Sequence, residues 1–396
     1  MAMPPHPVSP HPQSPGRVPS PAAVGNVLVA GAGLAGTAAA IHLAAAGVTV
    51  DLIDVSETAA ALGSGITLQG NALRELRALG VWDQVQAHGY SFSSLGLRAP
   101  DPAGTLLAEV PDARSGGSDL PATCGMPRPA LARILLDRAA QAGAKIRLGT
   151  SFTELRQDAA GVDVTFADGS AGRYDLVVAA DGVKSPTRRM LGIETEPRPT
   201  GMGIWRAFGP RPASVTRTDL IYGGPSYIAG FCPTGEDTLY AYIVEDAQDR
   251  SALSPEERLA TMAGLAAAYH GPWDEIRPGL TDPSLVNYTW FETHVVPAPW
   301  HRGRVVLIGD AAHSCPPTLA QGGAQALEDA AVLTELLLSH DAPDDALWAA
   351  FTARRFDRAK TVVEASCQLG QWQLDHEQGD LPGLMAAVTA LVSQPA

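Results

Sequence analysis

The sequence is poor in cysteine, in basic residues and in aromatic side chains. Its four cysteines stand far apart with no CxxC pair, which argues against a disulfide framework or a bound metal and fits a reducing cytoplasm. Lysine and arginine number 28 against 42 acidic residues, a net charge of −14. Phosphates of nucleic acid or of an anionic membrane surface would repel such a chain, so we expect neither as a partner.

Charged residues are also absent from 24–50, a stretch long enough to span a bilayer. The three glycines of GAGLAG (31–36) divide it into a strand over 26–30 and a helix over 34–46, and a second strand follows over 48–54. The stretch therefore predicts a βαβ unit rather than a transmembrane helix.

The hydrophobic pattern changes along the chain in a way that predicts two domains. Continuous apolar runs at 176–180 and 304–309 are typical of buried parallel strands, whereas 200–295 alternates with a period of two, as one-face-buried antiparallel strands do. The predicted fold is α/β, and its parts are a disordered Pro- and Ser-rich tail (1–23), a discontinuous Rossmann-like GxGxxG domain (24–90, 123–198 and 296–340), an inserted, mainly antiparallel β-sheet domain that would bind substrate (91–122 and 199–295), and C-terminal helices (341–396).

GAGLAG lies between the first strand and the first helix and has the features of a dinucleotide-binding turn. Gly31 permits the tight turn, Gly33 lets a pyrophosphate approach the backbone, and Gly36 allows close helix packing. The helix N-terminus offers N–H donors, and Asp54, at the end of the second strand, is placed to accept from a ribose hydroxyl. A glycine-rich turn without a ligand is the alternative interpretation.

Two further motifs follow buried strands. Asp181-Gly182 ends the run DLVVAADG, where a plain strand-exit turn is the alternative. Asp310 ends a strand in GRVVLIGDAAHSCPPTLAQGGAQALEDAA, and no Lys, Arg or carboxylate follows it until Glu328. Residues 322–324 open a helix there and make a second anion site. Two helix N-termini fit one extended ligand with a pyrophosphate and a second group that becomes anionic, which FAD satisfies.

In this order and spacing, GAGLAG with Asp54, GSGITLQGNALRELRALG, the DG motif and GDAAHSCPP...QGGAQALEDA resemble the single-component FAD-dependent aromatic hydroxylases. This family, the group A flavoprotein monooxygenases, includes para-hydroxybenzoate and salicylate hydroxylases. The resemblance implies non-covalent FAD bound by Gly31, Gly33, Leu34, Ala35, Gly36, Asp54, Val55, Arg128, Asp181, Asp310, Gly322, Gly323 and Ala324. Val55 departs from the pattern, since a basic residue often follows the ribose-binding acid.

The same resemblance implies the chemistry. NADH or NADPH would reduce the FAD, dioxygen would add to give a C4a-hydroperoxide, and this would hydroxylate a small aromatic or heteroaromatic ring. A phenol, with a free pKa of about 10, reacts faster as the phenolate, so a base or proton relay is expected. Pro317 matches a proline whose carbonyl lies close to flavin and substrate. A monomer or homodimer is expected.

The pattern of 200–295 supplies candidates for the substrate site. Tyr240 and Tyr242 share one face of a strand, opposite Leu239, Ala241 and Ile243. On neighbouring strands, Arg206 could hold a substrate carboxylate and Tyr222 could pass a proton. Others weighed are His294, as a further catalytic group, His313, as a structural residue, and Cys315, as an inert buried thiol. Core aromatics and a surface arginine remain the alternative.

Two other functions stay open at this point. One is an FAD monooxygenase or epoxidase of the same fold that acts on a larger antibiotic-like or isoprenoid molecule. The other is a non-catalytic nucleotide-binding protein, which would have no use for Asp310 and the second helix N-terminus.

Overall fold

The computed structural model describes residues 22–58 and 65–396. It is an α/β structure with mixed sheets. The tail expected over 1–23 falls mostly on residues 1–21, outside the described residues. Ala23 does belong to the folded part, because its backbone N–H donates to the carbonyl oxygen of Leu337 at 2.9 Å.

Strands supply four sheets. In chain order they are β1 (Asn26–Ala30), β2 (Thr49–Ile53), β3 (Gly65–Gln69), β4 (Tyr90–Phe92), β5 (Ser94–Arg98), β6 (Leu106–Pro111), β7 (Thr123–Pro127), β8 (Lys145–Arg147), β9 (Phe152–Gln157), β10 (Val162–Phe166), β11 (Ala171–Tyr174), β12 (Leu176–Ala179), β13 (Arg198–Pro210), β14 (Thr218–Tyr222), β15 (Ile228–Pro233), β16 (Thr238–Asp246), β17 (Val286–Val295), β18 (His301–Arg302), β19 (Val305–Leu307) and β20 (His313–Ser314).

Helices cover both the parallel sheet and one face of the largest sheet. They are α1 (Leu34–Ala45), α2 (Gly70–Ala78), α3 (Trp82–His88), α4 (Arg128–Ala142), α5 (Pro186–Met190), α6 (Pro255–Ala266), α7 (Pro272–Ile276), α8 (Gly322–Ser339), α9 (Asp345–Leu374) and α10 (Leu381–Ser393). In the described part of the chain, none of them combines the length and the apolar character that crossing a membrane requires.

The first sheet has the order β18-β19-β12-β1-β2-β8 and is parallel except for β18 at its edge. Its central strands β1, β12 and β19 are almost wholly buried, as continuous apolar runs require. Helix α1 connects β1 to β2 and packs between the sheet and α4 and α8. The βαβ unit predicted from the charge-free stretch is thus confirmed.

An eight-stranded sheet has the order β20-β17-β13-β16-β15-β14-β5-β6. Its pairs are antiparallel apart from β14 with β5. Leu239, Ala241 and Ile243 face a core under α6 and α7, whereas Tyr240 and Tyr242 point from the opposite face into a cavity. The predicted division of faces along this strand is confirmed. Two small antiparallel sheets, β11-β10-β9 and β3-β7-β4, complete the fold.

Candidate active site

A cavity of about 580 Å³ lies where the C-terminal ends of β1, β2 and β19 meet the open face of the eight-stranded sheet. Its lining comes from widely separated parts of the sequence. The predicted residues that it brings together are Gly33, Leu34, Ala35, Asp54, Arg128, Arg206, Tyr222, Asp310, Pro317, Gly322 and Gly323. Those that do not line it are Gly31, Gly36, Val55, Asp181, His294 and Ala324.

The three positions of GAGLAG occupied by glycine differ in the steric reason for having no side chain. Gly31 has a φ of 105°, and a Cβ there would lie 2.2 Å from the carbonyl oxygen of Ala180. A Cβ on Gly36 would lie 1.8 Å from the oxygen of Gly31, so both positions serve backbone packing. A Cβ on Gly33 would meet no atom of the described residues within 4 Å, and this open space belongs to the cavity. Gly33 therefore leaves room for a ligand beside the start of α1.

Asp54 ties the glycine loop to the end of β2. Its Oδ2 accepts from the backbone N–H of Ala32 at 2.7 Å, and its Oδ1 accepts from that of Ser56 at 2.8 Å. Helix α1 starts at the cavity with no acidic residue in its first turn and no side-chain cap, as far as the described residues go. Its first N–H groups are therefore available as donors to an anion.

Two predicted cofactor contacts are placed elsewhere. The side chain of Val55 is 72% exposed and does not border the cavity. The carboxylate of Asp181 accepts from the backbone N–H of Thr187 at 2.9 Å and from the hydroxyl of Ser185, so it caps the start of α5. The DG motif reaches the cavity through Gly182 instead, whose φ of 82° turns the chain there.

Asp310 follows β19 in a single 3₁₀ turn and borders the cavity. Burial raises the pKa of its carboxyl, while His313 and Arg128 lower it in part. Within residues 22–58 and 65–396, no protein group donates a hydrogen bond to this carboxylate. The carboxylate is exposed to the cavity, where the hydroxyls of a sugar alcohol would be able to donate to it.

The N-terminus of α8 faces the same cavity from another side. Gly322 and Gly323 line it, while Ala324 is 2% exposed and packs into the core. No side chain of the described structure caps this helix, so its first N–H groups are free to donate. The preceding Gln321 is held by Asn71, whose Nδ2 lies 3.0 Å from the Gln321 Oε1.

Arg206 and tyrosines cover the sheet side of the cavity. The guanidinium of Arg206 donates to the Oγ1 of Thr289 at 2.7 Å. Among the described residues it has no acidic partner within ion-pair distance, and burial together with Arg128 lowers its pKa to about 10. It stays cationic at neutral pH. Burial raises the pKa of Tyr222 to about 12 and that of Tyr242 well above its usual value, so both hydroxyls stay protonated.

His294 is removed from the cavity and bound to another group. It is 5% exposed, and its Nε2 lies 3.0 Å from the Nη1 of Arg188, which also donates to the carbonyl of Ala311. Burial and the neighbouring Arg188 lower the pKa of His294 to about 4. As a neutral imidazole that contacts an arginine away from the cavity, His294 has the surroundings of a structural residue, and its catalytic part stays a prediction.

Other residues singled out in the sequence have structural surroundings. His313 lies 2.6 Å from the Oδ2 of Asp329 and against the ring of Trp300. Cys315 borders the cavity, and burial raises its pKa to about 12, so the thiol is protonated and unreactive at neutral pH.

Sequence reasoning missed many contributors to the cavity, among them Thr67 and Met385. Thr67 on β3 lies 3.2 Å from the hydroxyl of Tyr240, and Met385 reaches the cavity from α10. Thr67 lies in the quoted stretch GSGITLQGN, whose glycines indicate a close backbone approach. No sequence signal links Met385 to the site, because its contacts depend on how α10 folds back.

Comparisons with known proteins agree with this geometry. A family model described as an FAD binding domain matches residues 25–366. The putative FAD-dependent monooxygenase YetM of Bacillus subtilis is 31% identical over 89% of this chain and 95% of its own length. The 6-hydroxynicotinate 3-monooxygenase of Bordetella bronchiseptica is 30% identical over 86% and 90%. The fold matches Klebsiella pneumoniae HpxO, solved with FAD and uric acid, with a TM-score of 0.76 at 24% identity over 93% and 92%.

Proposed function

Because the chain belongs to the FAD-binding family matched over residues 25–366 and is an FAD-dependent monooxygenase, we propose that it hydroxylates a small aromatic or heteroaromatic substrate. NADH or NADPH would be the reductant and dioxygen the oxidant. The proposal favours a phenolic or carboxylated ring. Its support is the cavity in which two helix N-termini, uncapped by side chains in the described structure, and Asp310 lie opposite a cationic Arg206 and half-buried tyrosines.

The residues present fit FAD. The first N–H groups of α1 beside Gly33 would hold the pyrophosphate, Asp54 the adenosine ribose and Asp310 the ribityl hydroxyls. The N–H groups of α8 would face the pyrimidine edge of the ring, where negative charge develops on reduction. When bound, FAD supplies the electron transfer from the nicotinamide and the activation of dioxygen.

On the substrate side, residues of the chain itself would bind and orient the ring and exclude water from it. Arg206 would hold a carboxylate or favour a phenolate, because its own positive charge lacks a protein counter-ion in the described structure. Tyr222 keeps its proton at neutral pH and would donate it to a substrate oxygen. Apolar walls from Ile204, Ile228 and Phe291 would exclude water from the reacting atoms.

The name of one relative supports a small substrate. The 6-hydroxynicotinate 3-monooxygenase acts, by its name, on a hydroxylated and carboxylated heteroaromatic ring, the combination that Arg206 and Tyr222 suit. The larger antibiotic-like or isoprenoid substrate is the second candidate. A non-catalytic protein is set aside, since the family and its relatives are monooxygenases.

A substrate screen tests the proposal. Protein reconstituted with FAD is given NADH or NADPH and ¹⁸O₂ with hydroxybenzoates, hydroxypyridine carboxylates, or bulky polycyclic compounds. The balance is ring–H + O₂ + NAD(P)H + H⁺ → ring–OH + H₂O + NAD(P)⁺. We expect a small ring to stimulate NAD(P)H oxidation and to gain one ¹⁸O atom. If every compound leaves NAD(P)H oxidation unchanged and gains no ¹⁸O, the proposal is wrong.

A further inference from the structure

The C-terminal helix carries an apolar face that protein covers only in part. After the 30-residue α9, the chain reverses over 375–380 and returns as α10. Leu381, Met385, Val388 and Val392 follow one another at spacings of four, three and four residues, so they lie on one side of α10. An apolar face of this kind is stabilised when other apolar groups pack against it.

The second half of this face is packed, and the first half is not. Val388 and Val392 are 5% and 4% exposed and belong to a cluster with Leu319, Val362 and Leu369. Leu381 and Met385, two turns and one turn earlier, are 37% and 42% exposed. Met385 borders the active-site cavity, whose wall Leu319 also helps to form. The uncovered half of the α10 face therefore continues from a packed cluster directly to the cavity.

Met385 lies toward the substrate end of the cavity. Leu374, at the end of α9, packs in the cluster that contains Tyr222 and Tyr242. Just after it, the ring of His376 lies 6.1 Å from that of Tyr227. The turn that leads into α10 is thus anchored on the same sheet that carries Arg206, whereas Asp54 and the expected ribose position lie just after β2.

We propose that Met385 forms a subsite for an apolar substituent of the substrate, with Leu381 one turn further along the same face of α10, and this rests on the proposed function. The ring would be held at Arg206 and Tyr222, and a hydrocarbon group on it would extend along the α10 face. The substrate class is then an aromatic or heteroaromatic ring that carries an alkyl or similar apolar side chain. Met385 suits such a group because its unbranched side chain adapts to irregular apolar shapes.

The burial of hydrocarbon predicts how much an apolar substituent should lower the Kd. Moving one methylene group from water into an apolar site tightens binding about fourfold. A three-carbon side chain that reaches Met385 should therefore bind tens of times more tightly than the unsubstituted ring. A side chain that stays in water should change the Kd by no more than about twofold.

The test is a binding titration with the FAD-loaded protein. Phenol and its 3- and 4-substituted propyl and hexyl derivatives are titrated, and the Kd is read from the flavin absorbance spectrum. Both substitution patterns are used because the orientation of the ring is not part of the proposal. The variants are Met385→Ser and Leu381→Ser, with Met190→Ser as the matched control, since Met190 is 45% exposed and lies outside the cavity lining.

We expect the Kd to fall with chain length in at least one series, and Met385→Ser to reduce the preference for hexylphenol over phenol at least tenfold. Met190→Ser should keep that preference, and all variants should keep their Tm with FAD. If chain length has no effect, if no phenol binds, or if Met385→Ser retains the full preference, the subsite does not exist. If only the proposed function fails, binding should still tighten with the length of the alkyl chain, but no NAD(P)H-dependent hydroxylation should occur.

Discussion

At the scale of single residues, the charge of Arg206 distinguishes the proposed substrate end of the cavity from the proposed cofactor end. It lies on β13 among apolar and aromatic side chains, and its only side-chain hydrogen bond in the described structure goes to Thr289. A half-buried cation with one neutral partner gains free energy when an anionic group binds beside it. The two ends of the cavity can therefore be tested independently by substitution.

We expect Arg206→Gln to weaken the binding of 4-hydroxybenzoate about 10- to 100-fold, the loss of one charge-assisted hydrogen bond. Arg206→Lys should recover part of this affinity, because it restores the charge but not the planar donor pair. FAD affinity should stay within about twofold, which separates a substrate contact from a general defect. Titration of each FAD-loaded variant measures this, and an unchanged Kd for Arg206→Gln would remove this residue from the substrate site.

His294 makes the stability of the protein depend on pH. Its pKa is lowered from 6.5 to about 4 in the folded state, so the unfolded chain binds the proton more readily. Stability is therefore complete above about pH 6.5 and is lost as the pH falls toward 4. Between pH 7 and pH 5 this group should cost about 2 kcal/mol of unfolding free energy.

Denaturant unfolding at several pH values measures the effect. His294→Gln, which keeps an acceptor for Arg188, should flatten the pH dependence by about that amount. His88→Gln, at an exposed position, is the control and should leave the slope unchanged. Equal slopes for His294→Gln and the unsubstituted protein would mean that the imidazole is not held neutral.

At the scale of elements, two consecutive carboxylates on α8, Glu328 and Asp329, position the backbone around the cavity. Asp329 accepts from the backbone N–H of Gly309 at 2.8 Å and contacts His313, which fixes the turn that carries Asp310. Glu328 accepts from Asn71, the same amide that contacts Gln321 before the helix. Arg355 on α9 contacts Glu328 at 2.8 Å and Asp329 at 2.7 Å. All three of these charged side chains are fully buried.

Asp329→Asn should therefore act on cofactor binding and on stability together. It leaves Arg355 with one buried counter-ion fewer, which costs about 3 kcal/mol, and it loosens the turn at Gly309. FAD affinity should fall at least tenfold. Apoprotein titrated with FAD and unfolded in denaturant measures both effects, with Asp357→Asn on the exposed side of α9 as control. FAD affinity equal to that of the control would show that Asp329 does not position the loop.

Elements with a regular pattern could be predicted from the sequence, and their distant partners could not. The strand at 26–30 and the helix predicted over 34–46 have local signals in apolar runs and flanking glycines, and both form as expected. The acids at 328 and 329 were visible only as the end of an uncharged stretch. Their role depends on Arg355, some 26 residues later, which α9 brings back against α8.

The residues of the candidate site likewise differ in how well the sequence predicts them. Gly33, Asp54 and Asp310 follow strands whose C-terminal ends share one sheet edge, so local motifs sufficed to bring them together. The surroundings of His294 and Val55 could not be predicted, because a position in or after a strand does not tell which neighbour a side chain meets. The side chain of Arg188 contacts that of His294, and the turn after β2 leaves the side chain of Val55 exposed.

At the scale of the whole molecule, the cavity lies at the junction of two sheets with different chemistry. The parallel sheet contributes glycine loops and carboxylates at its C-terminal edge, and the eight-stranded sheet contributes Arg206, tyrosines and apolar walls. This arrangement suits an extended cofactor whose nucleotide end contacts one sheet and whose ring meets a substrate against the other. The central claim is that a single FAD contacts the N-termini of α1 and α8 at once.

A crystal structure of the FAD complex tests this claim most directly. We predict that pyrophosphate oxygens lie about 2.7–3.2 Å from the first backbone nitrogens of α1 beside Gly33. The flavin C2 carbonyl oxygen should lie at the same distance from a backbone nitrogen within 322–324. An FAD that reaches only one of the two helix N-termini, or whose ring lies outside the cavity, would contradict the account.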